Sequence, residues 1–206
     1  MKLFLDSNII ADWILVKNKV SKKVKDDLLS QRYHYMSHSY KLIEELIASE
    51  VATVTSQLAI SEVFSVLSDD AINMKLYMKA IPTAVWMWIT FRNRERLSEE
   101  ENLELHEGIL RKIDDLFSDT KVDLIEDEFN LEIYSYLVLR LGMKTHDAIL
   151  LTTAILNEVN YFVTRDDRLI ENTRREFRDK FDVKLSKPIN ALNVVKSEIS
   201  KSQGSI

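Results

Sequence analysis

The chain of 206 residues contains no cysteine. That excludes a disulfide framework and any thiolate metal site, and it fits a reducing compartment, so a cytoplasmic location is expected. Only three glycines are present. Neither G-x-G-x-x-G nor a Walker A sequence occurs, which excludes the glycine-rich phosphate loops of nucleotide-binding domains. No apolar run reaches the roughly 18 residues of a membrane span, so no membrane partner is expected. The opening Lys2-Leu3-Phe4-Leu5-Asp6 goes straight into a strand-like run and does not read as a signal peptide. A net charge of -5 argues against coating nucleic acid through bulk charge, while leaving room for an enzyme with a local basic rim. The four histidines, His34, His38, His106 and His146, make no metal-ligand spacing such as H-E-x-x-H.

What the chain does have is an alternation of strand and helix signals. Its length suits one well-buried domain over 1–206. Residues 2–5 are short and apolar and read as a buried strand. Asp6, Ser7 and Asn8 can each cap a helix, and 9–16 continue as a helical pattern around Trp13. Residues 17–25 are basic and read as exposed. Helix is expected over about 26–49 with a break near 32–39. Residues 51–55 are β-branched and read as a second strand, and the helix carrying Glu62 follows. From about 70 to 117 there is no strand signal, and the segment reads as a helical insertion without linker-like composition. Further on, the pattern predicts a strand at 122–125, a helix at 128–141 stopped by Gly142, and an apolar helix at 145–159. A strand at 161–164, a charged surface helix at 167–177 and an edge strand at 183–185 before Pro188 complete it. Residues 200–206 read as frayed. This order implies an α/β fold, three-layer α/β/α, with a central mostly parallel sheet. In such sheets ligands collect beyond the carboxyl ends of the strands.

Four carboxylates stand at the edges of apolar segments. Asp6 closes the first strand, Glu62 lies inside an apolar helix between Leu58 and Val66, Asp147 opens the apolar helix, and Asp166 follows the fourth strand. An unpartnered buried carboxylate is expensive. Four that converge would suit a hard, oxygen-loving ion such as Mg²⁺ or Mn²⁺. Each acid also has a plainer reading. Asp6 and Asp166 suit helix caps, with Asp167 competing for the second. Asp147 suits the first turn of a helix, where the macrodipole favours negative charge. Glu62 suits a solvated face least well, because its neighbours are apolar.

Leu3-Phe4-Leu5-Asp6-Ser7-Asn8, Ser61-Glu62-Val63, His146-Asp147-Ala148 and Val163-Thr164-Arg165-Asp166 occur in that order, followed by Lys187-Pro188-Ile189. Together they resemble the motif series of PIN-domain nucleases, whose small toxin members are the VapC-like ribonucleases. The 85 positions between Glu62 and Asp147 depart from those shorter toxins. The resemblance implies a PIN-like fold, a metal-dependent ribonuclease and an RNA substrate. It leaves open a toxin with an antitoxin partner, a stand-alone RNA-processing enzyme, and a non-catalytic binding module of the same fold.

Phosphodiester hydrolysis needs negative charge stabilised at phosphorus and a water made more acidic, which Mg²⁺ or Mn²⁺ can supply. In that chemistry Asp6 and Asp147 are the expected main metal ligands, Asp166 binds a second ion or acts through water, and Glu62 holds water or acts as general base. Asn8 and Thr164 would orient carboxylates or phosphate. Lys144, Arg165 and Arg168 flank the acids and would reach phosphates, or else are ordinary solvated surface. A phosphatase of the Asp-x-Asp type would carry an acid where the chain has Asn8. Val85, Trp86, Trp88, Ile89 and Phe91 are too apolar for one core face to bury, so a homodimer is expected. RNA stacking beside Arg92, Arg94 and Arg96 is the alternative cover.

Overall fold

In the computed structural model, residues 1–17, 27–82, 84–86, 95–173, 177 and 180–203 are described. Five strands, β1 (Lys2–Leu5), β2 (Ala52–Ser56), β3 (Val122–Ile125), β4 (Tyr161–Val163) and β5 (Lys184–Ser186), form one sheet in the order β3-β2-β1-β4-β5. All four pairings are parallel. β1 is therefore central, which explains why it reads as an unbroken apolar run: both of its faces are covered. Leu3 and Leu5 join a core on one face with residues of α1 (Ser7–Lys17), α2 (Asp27–Ile47), α3 (Gln57–Met78), α4 (Glu99–Asp119) and α8 (Pro188–Gln203). Phe4 points to the other face, where its ring stacks on Phe162 with centroids 5.0 Å apart. That second core is completed from α5 (Leu131–Ser135) and the turn after it, α6 (Thr145–Leu156) and α7 (Asp167–Thr173). The fold is α/β with helices on both faces of an all-parallel sheet.

Several elements differ from their sequence patterns for identifiable reasons. α2 runs unbroken through 32–39. The polar residues there do not interrupt it: the Ser37 hydroxyl donates to the His34 carbonyl at 2.6 Å, and neither Pro nor Gly occurs. Between β2 and β3 the described residues form helices joined by turns, with no strand among them. α3 continues through Asp70 to Met78, and α4 opens with a capping box between Ser98 and Glu101. Ile109, Ile113 and Leu116 of α4 lie in the main core, so the helical stretch is fastened to the domain along its second half. Helix after β3 begins at Leu131 rather than 128, because Asn130 accepts from the Glu132 and Ile133 amides. It then widens into a π turn, Tyr136–Arg140. α7 is not a pure surface helix, since Leu169 and Ile170 are buried, as is Phe177 beyond it. Pro188 opens a full helix, α8, that no signal had marked; Pro at the first helical position needs no amide hydrogen. Residues 200–203 belong to this helix. The expected basic segment at 18–25, and Trp88, Ile89, Phe91, Arg92 and Arg94, lie outside the described residues.

Candidate active site

The chain runs from β1 outward to β2 and β3, then returns to place β4 on the other side of β1. Their adjacent carboxyl ends form the topological switch point, where open α/β sheets bind ligands. Asp6 leaves β1 there, and Thr164 to Asp166 leave β4. The Asp6 amide donates to the Val163 carbonyl at 3.1 Å, which locks the two strand ends together.

Asp6 is 6% exposed and sits in a cage of donors. Its Oδ1 accepts from the Ser7 amide at 2.7 Å and the Ser7 hydroxyl at 3.2 Å. Its Oδ2 accepts from Asn8 Nδ2 at 2.5 Å and Thr164 Oγ1 at 2.6 Å. Thr164 Oγ1 in turn accepts from Asn8 Nδ2 at 3.0 Å and the Asp166 amide at 3.0 Å. Asn8 Oδ1 accepts from the Arg165 amide at 3.0 Å. Asn8 and Thr164 thus hold the Asp6 carboxylate in place. Burial pushes the Asp6 carboxyl up to about 6; the Thr164 and Ser7 hydrogen bonds pull it down, and the charges of Glu62 and Asp147 push it up. A carboxylate has about four acceptor positions, and these four contacts fill them. Direct cation binding through Asp6 would displace one, and the Ser7 hydroxyl contact is the longest.

Glu62 arrives on α3. That helix is fixed by Ser56, which accepts from the Ala59 amide, and by Asp127, whose Oδ2 accepts from the Leu58 amide at 2.7 Å. Glu62 Oε1 lies 2.8 Å from His146 Nδ1. Asp147 follows His146 in the first turn of α6. Its position depends on Gly142, whose φ of +66° ends the preceding helix in the left-handed region that favours glycine. A Cβ there would meet nothing within 4 Å, so the backbone conformation is what calls for glycine. Asp147 is half-buried and receives no hydrogen bond or ion pair from a described residue. Burial raises its pKa most, followed by the charges of Asp166 and Glu62; Lys144 and His146 oppose the rise. Asp166 is exposed and caps α7, its Oδ1 accepting from the Arg168 and Leu169 amides at 2.8 and 3.1 Å. The capping reading of Asp166 is therefore realised, and it still lies near enough to Asp147 to repel it.

The four acids thus come from four separate elements to one edge and act on one another electrostatically. Among the described residues no three His, Asp or Glu side chains form a ready-made metal cage. Mg²⁺ takes only one or two carboxylates and keeps several waters. The half-buried Asp147, repelled by Asp166 and Glu62 and without a donor among the described residues, has the unmet charge that a divalent cation would satisfy.

Of the expected basic residues, Lys144 and Arg168 are exposed beside the acids. Arg165 turns inward: its Nε lies 3.0 Å from Oδ2 of Asp12, which is 1% exposed. The N–H is not aimed well enough to form a hydrogen bond, so the contact is ionic. The Ser39 hydroxyl donates to the same Asp12 oxygen at 2.7 Å. Sequence reasoning missed Asp12, because it sits in a helical apolar run with no motif around it. It also missed Tyr35, His38 and Lys187, which lie on a cleft adjoining Asn8 and Asp166. Trp86 is half-buried and donates its indole N–H to the Ile81 carbonyl at 2.7 Å.

No protein-family model matches the chain. Over 101 residues it is 52% identical to an uncharacterized protein of Archaeoglobus fulgidus, a match spanning 48% of this chain and 86% of that one. The two proteins belong to one family. In three dimensions the chain is similar to PAE2754 from Pyrobaculum aerophilum, with a TM-score of 0.51 over 96% of this chain and 90% of that one. The sequences are 12% identical there, so the likeness concerns the fold.

Proposed function

We propose that this protein is a divalent-metal-dependent ribonuclease of the PIN-domain type. The observation that carries the reading is Asp147: a half-buried carboxylate without a donor among the described residues, held above its ordinary pKa by burial and by Asp166 and Glu62, at the switch-point edge of a parallel sheet. The motif series in the sequence supports the same reading.

Asp147 and Asp6 would hold Mg²⁺ or Mn²⁺, with Asp166 as a further ligand. Such an ion supplies charge neutralisation at the phosphate and a more acidic water. The chain's own residues do the rest. Ser7, Asn8 and Thr164 keep Asp6 in one orientation, so its oxygens do not reorganise during reaction. Glu62, whose Oε1 lies 2.8 Å from His146 Nδ1, is the group to accept the proton of the attacking water. Lys144 and Arg168 offer positive charge to the RNA backbone.

The test is cleavage of a labelled single-stranded RNA by purified protein. Products should form with Mg²⁺ or Mn²⁺, and disappear with EDTA and with Asp147→Asn. RNA binding without cleavage would favour the non-catalytic binding module instead. Pairing into a homodimer and inhibition by an antitoxin are separate parts of the proposal. Light scattering tests the first: a monomer at high concentration would overturn it. Co-purification with the product of the neighbouring gene tests the second.

A further inference from the structure

Beside the acid edge lies a cleft of about 520 Å³, within the ~300–1,000 Å³ usual for ligand pockets. Asn8 and Asp166 form its near wall, so whatever enters it lies next to the acids. Tyr35 and His38 of α2 also line it, as do Pro188 and Ile189 at the start of α8. Tyr35 is 64% exposed, a large aromatic ring with little cover. It is held edge-on to His34 at 5.8 Å, and His34 is edge-on to His38 at 5.4 Å.

The cleft also contains two cations, which would ordinarily point to a phosphate. Both are already matched. Arg165 is paired with Asp12 at 3.0 Å, and Lys187 Nζ lies 2.5 Å from Asp167 Oδ1. Asp166 and Asp167 line the same cleft, so an anion would meet two carboxylates there. The remaining chemistry is an exposed ring, the apolar Pro188 and Ile189, and polar groups whose charges cancel. His38 adds to this, since burial, His34 and Lys41 all lower its pKa, leaving a neutral ring with one donor and one acceptor. Those features suit a flat, uncharged, hydrogen-bonding group.

We propose that this cleft seats one nucleobase of the RNA, stacked on Tyr35, next to the phosphate that is cut. The inference rests on the ribonuclease reading for its substrate, and it makes Tyr35 a substrate-binding residue that takes any base by stacking. Lys187 and Arg165 donate to base carbonyl oxygens, and the phosphate stays outside at the acid edge.

The experiment measures binding of a fluorescent single-stranded RNA octamer in EDTA, where no cleavage occurs. Tyr35→Ala should weaken binding about five- to a hundred-fold, the effect of losing one base–aromatic stack, while Tyr35→Phe should bind like the wild type. The salt dependence of Tyr35→Ala should match the wild type, since no phosphate contact is lost. An octamer with one abasic position, moved along the strand, should lose affinity at one place for the wild type and at none for Tyr35→Ala. Unchanged affinity in Tyr35→Ala overturns the cleft proposal. So does inhibition of binding by millimolar inorganic phosphate that disappears in Lys187→Ala, which would make this a phosphate site. Normal results in EDTA with no cleavage on adding Mg²⁺ or Mn²⁺ would overturn the ribonuclease reading and leave the base site standing.

Discussion

Replacing Asp6 by Asn separates the cost of its charge from the value of its hydrogen bonds. The Asp6 carboxyl is raised from 3.8 to about 6. It binds its proton more tightly folded than unfolded, so the folded state holds the extra proton between about pH 4 and 6. Stability therefore falls as pH rises through that window, and the penalty is complete above about 6. At about 1.4 kcal/mol for each pH unit, the penalty is about 3 kcal/mol. Asn carries no charge and escapes it. However, its amide group must face a donor on either side: the Ser7 amide at the Oδ1 position, or Asn8 Nδ2 at the Oδ2 position. That mismatch costs about 1–3 kcal/mol. In EDTA at pH 8 the variant should be equal to the wild type or up to about 2 kcal/mol more stable. Near pH 4 it should be about 1–3 kcal/mol less stable. Urea denaturation at pH steps from 4 to 8 measures this directly. Wild type and variant curves that stay parallel across the range would refute the argument, because the charge on Asp6 would then carry no folding penalty.

Asp147→Asn should abolish RNA cleavage while the protein stays folded, with stability above neutral pH unchanged or raised; a circular-dichroism melt beside the cleavage assay checks both. Asp12→Ala leaves Arg165 without its partner and should destabilise by about 3 kcal/mol, toward the low end for broken buried pairs because Arg165 is partly exposed; an unchanged urea midpoint would show that the pair contributes nothing. Asp166→Asn should reduce cleavage more than Asp167→Asn, because Asn still caps α7 and the loss is then of charge beside Asp147, whereas Asp167 pairs with Lys187 on the surface; equal activities would mean that Asp166 is only a cap.

The elements most legible in the sequence were those whose environment is uniform. β1 is covered on both faces, so its apolar run admitted one reading, and the same holds for the apolar α6. Asp6 and Asp166 stood out because a polar residue ending a central strand falls at the edge where open α/β sheets bind ligands. What escaped depended on partners far away in the chain. Nothing near Asp12 announces that Arg165 will reach it across 153 positions, since the ion pair exists only once β4 lies beside β1. α8 was invisible because its apolar positions are sparse and Pro188 reads as a stop as readily as a start. The supposed break in α2 treated polar residues as helix breakers, whereas they are tolerated in a helix held by tertiary contacts, Ser39 itself being buried against Asp12. Tyr35 went unremarked for the same reason, as one ring among polar neighbours.

The placement of β1 has a consequence for how the protein is made. Of these five strands β1 is made first and becomes the middle of the sheet, and one of its two neighbours is encoded about 160 positions later. The Asp6–Thr164 bond spans 158 residues. Contacts of such separation form late, because the intervening chain must be ordered before they close. A growing polypeptide can pair β1 with β2 early, yet it has no assembled carboxylate edge until β4 emerges. If that edge cleaves RNA, the activity cannot appear before β4 has been made and has docked beside β1.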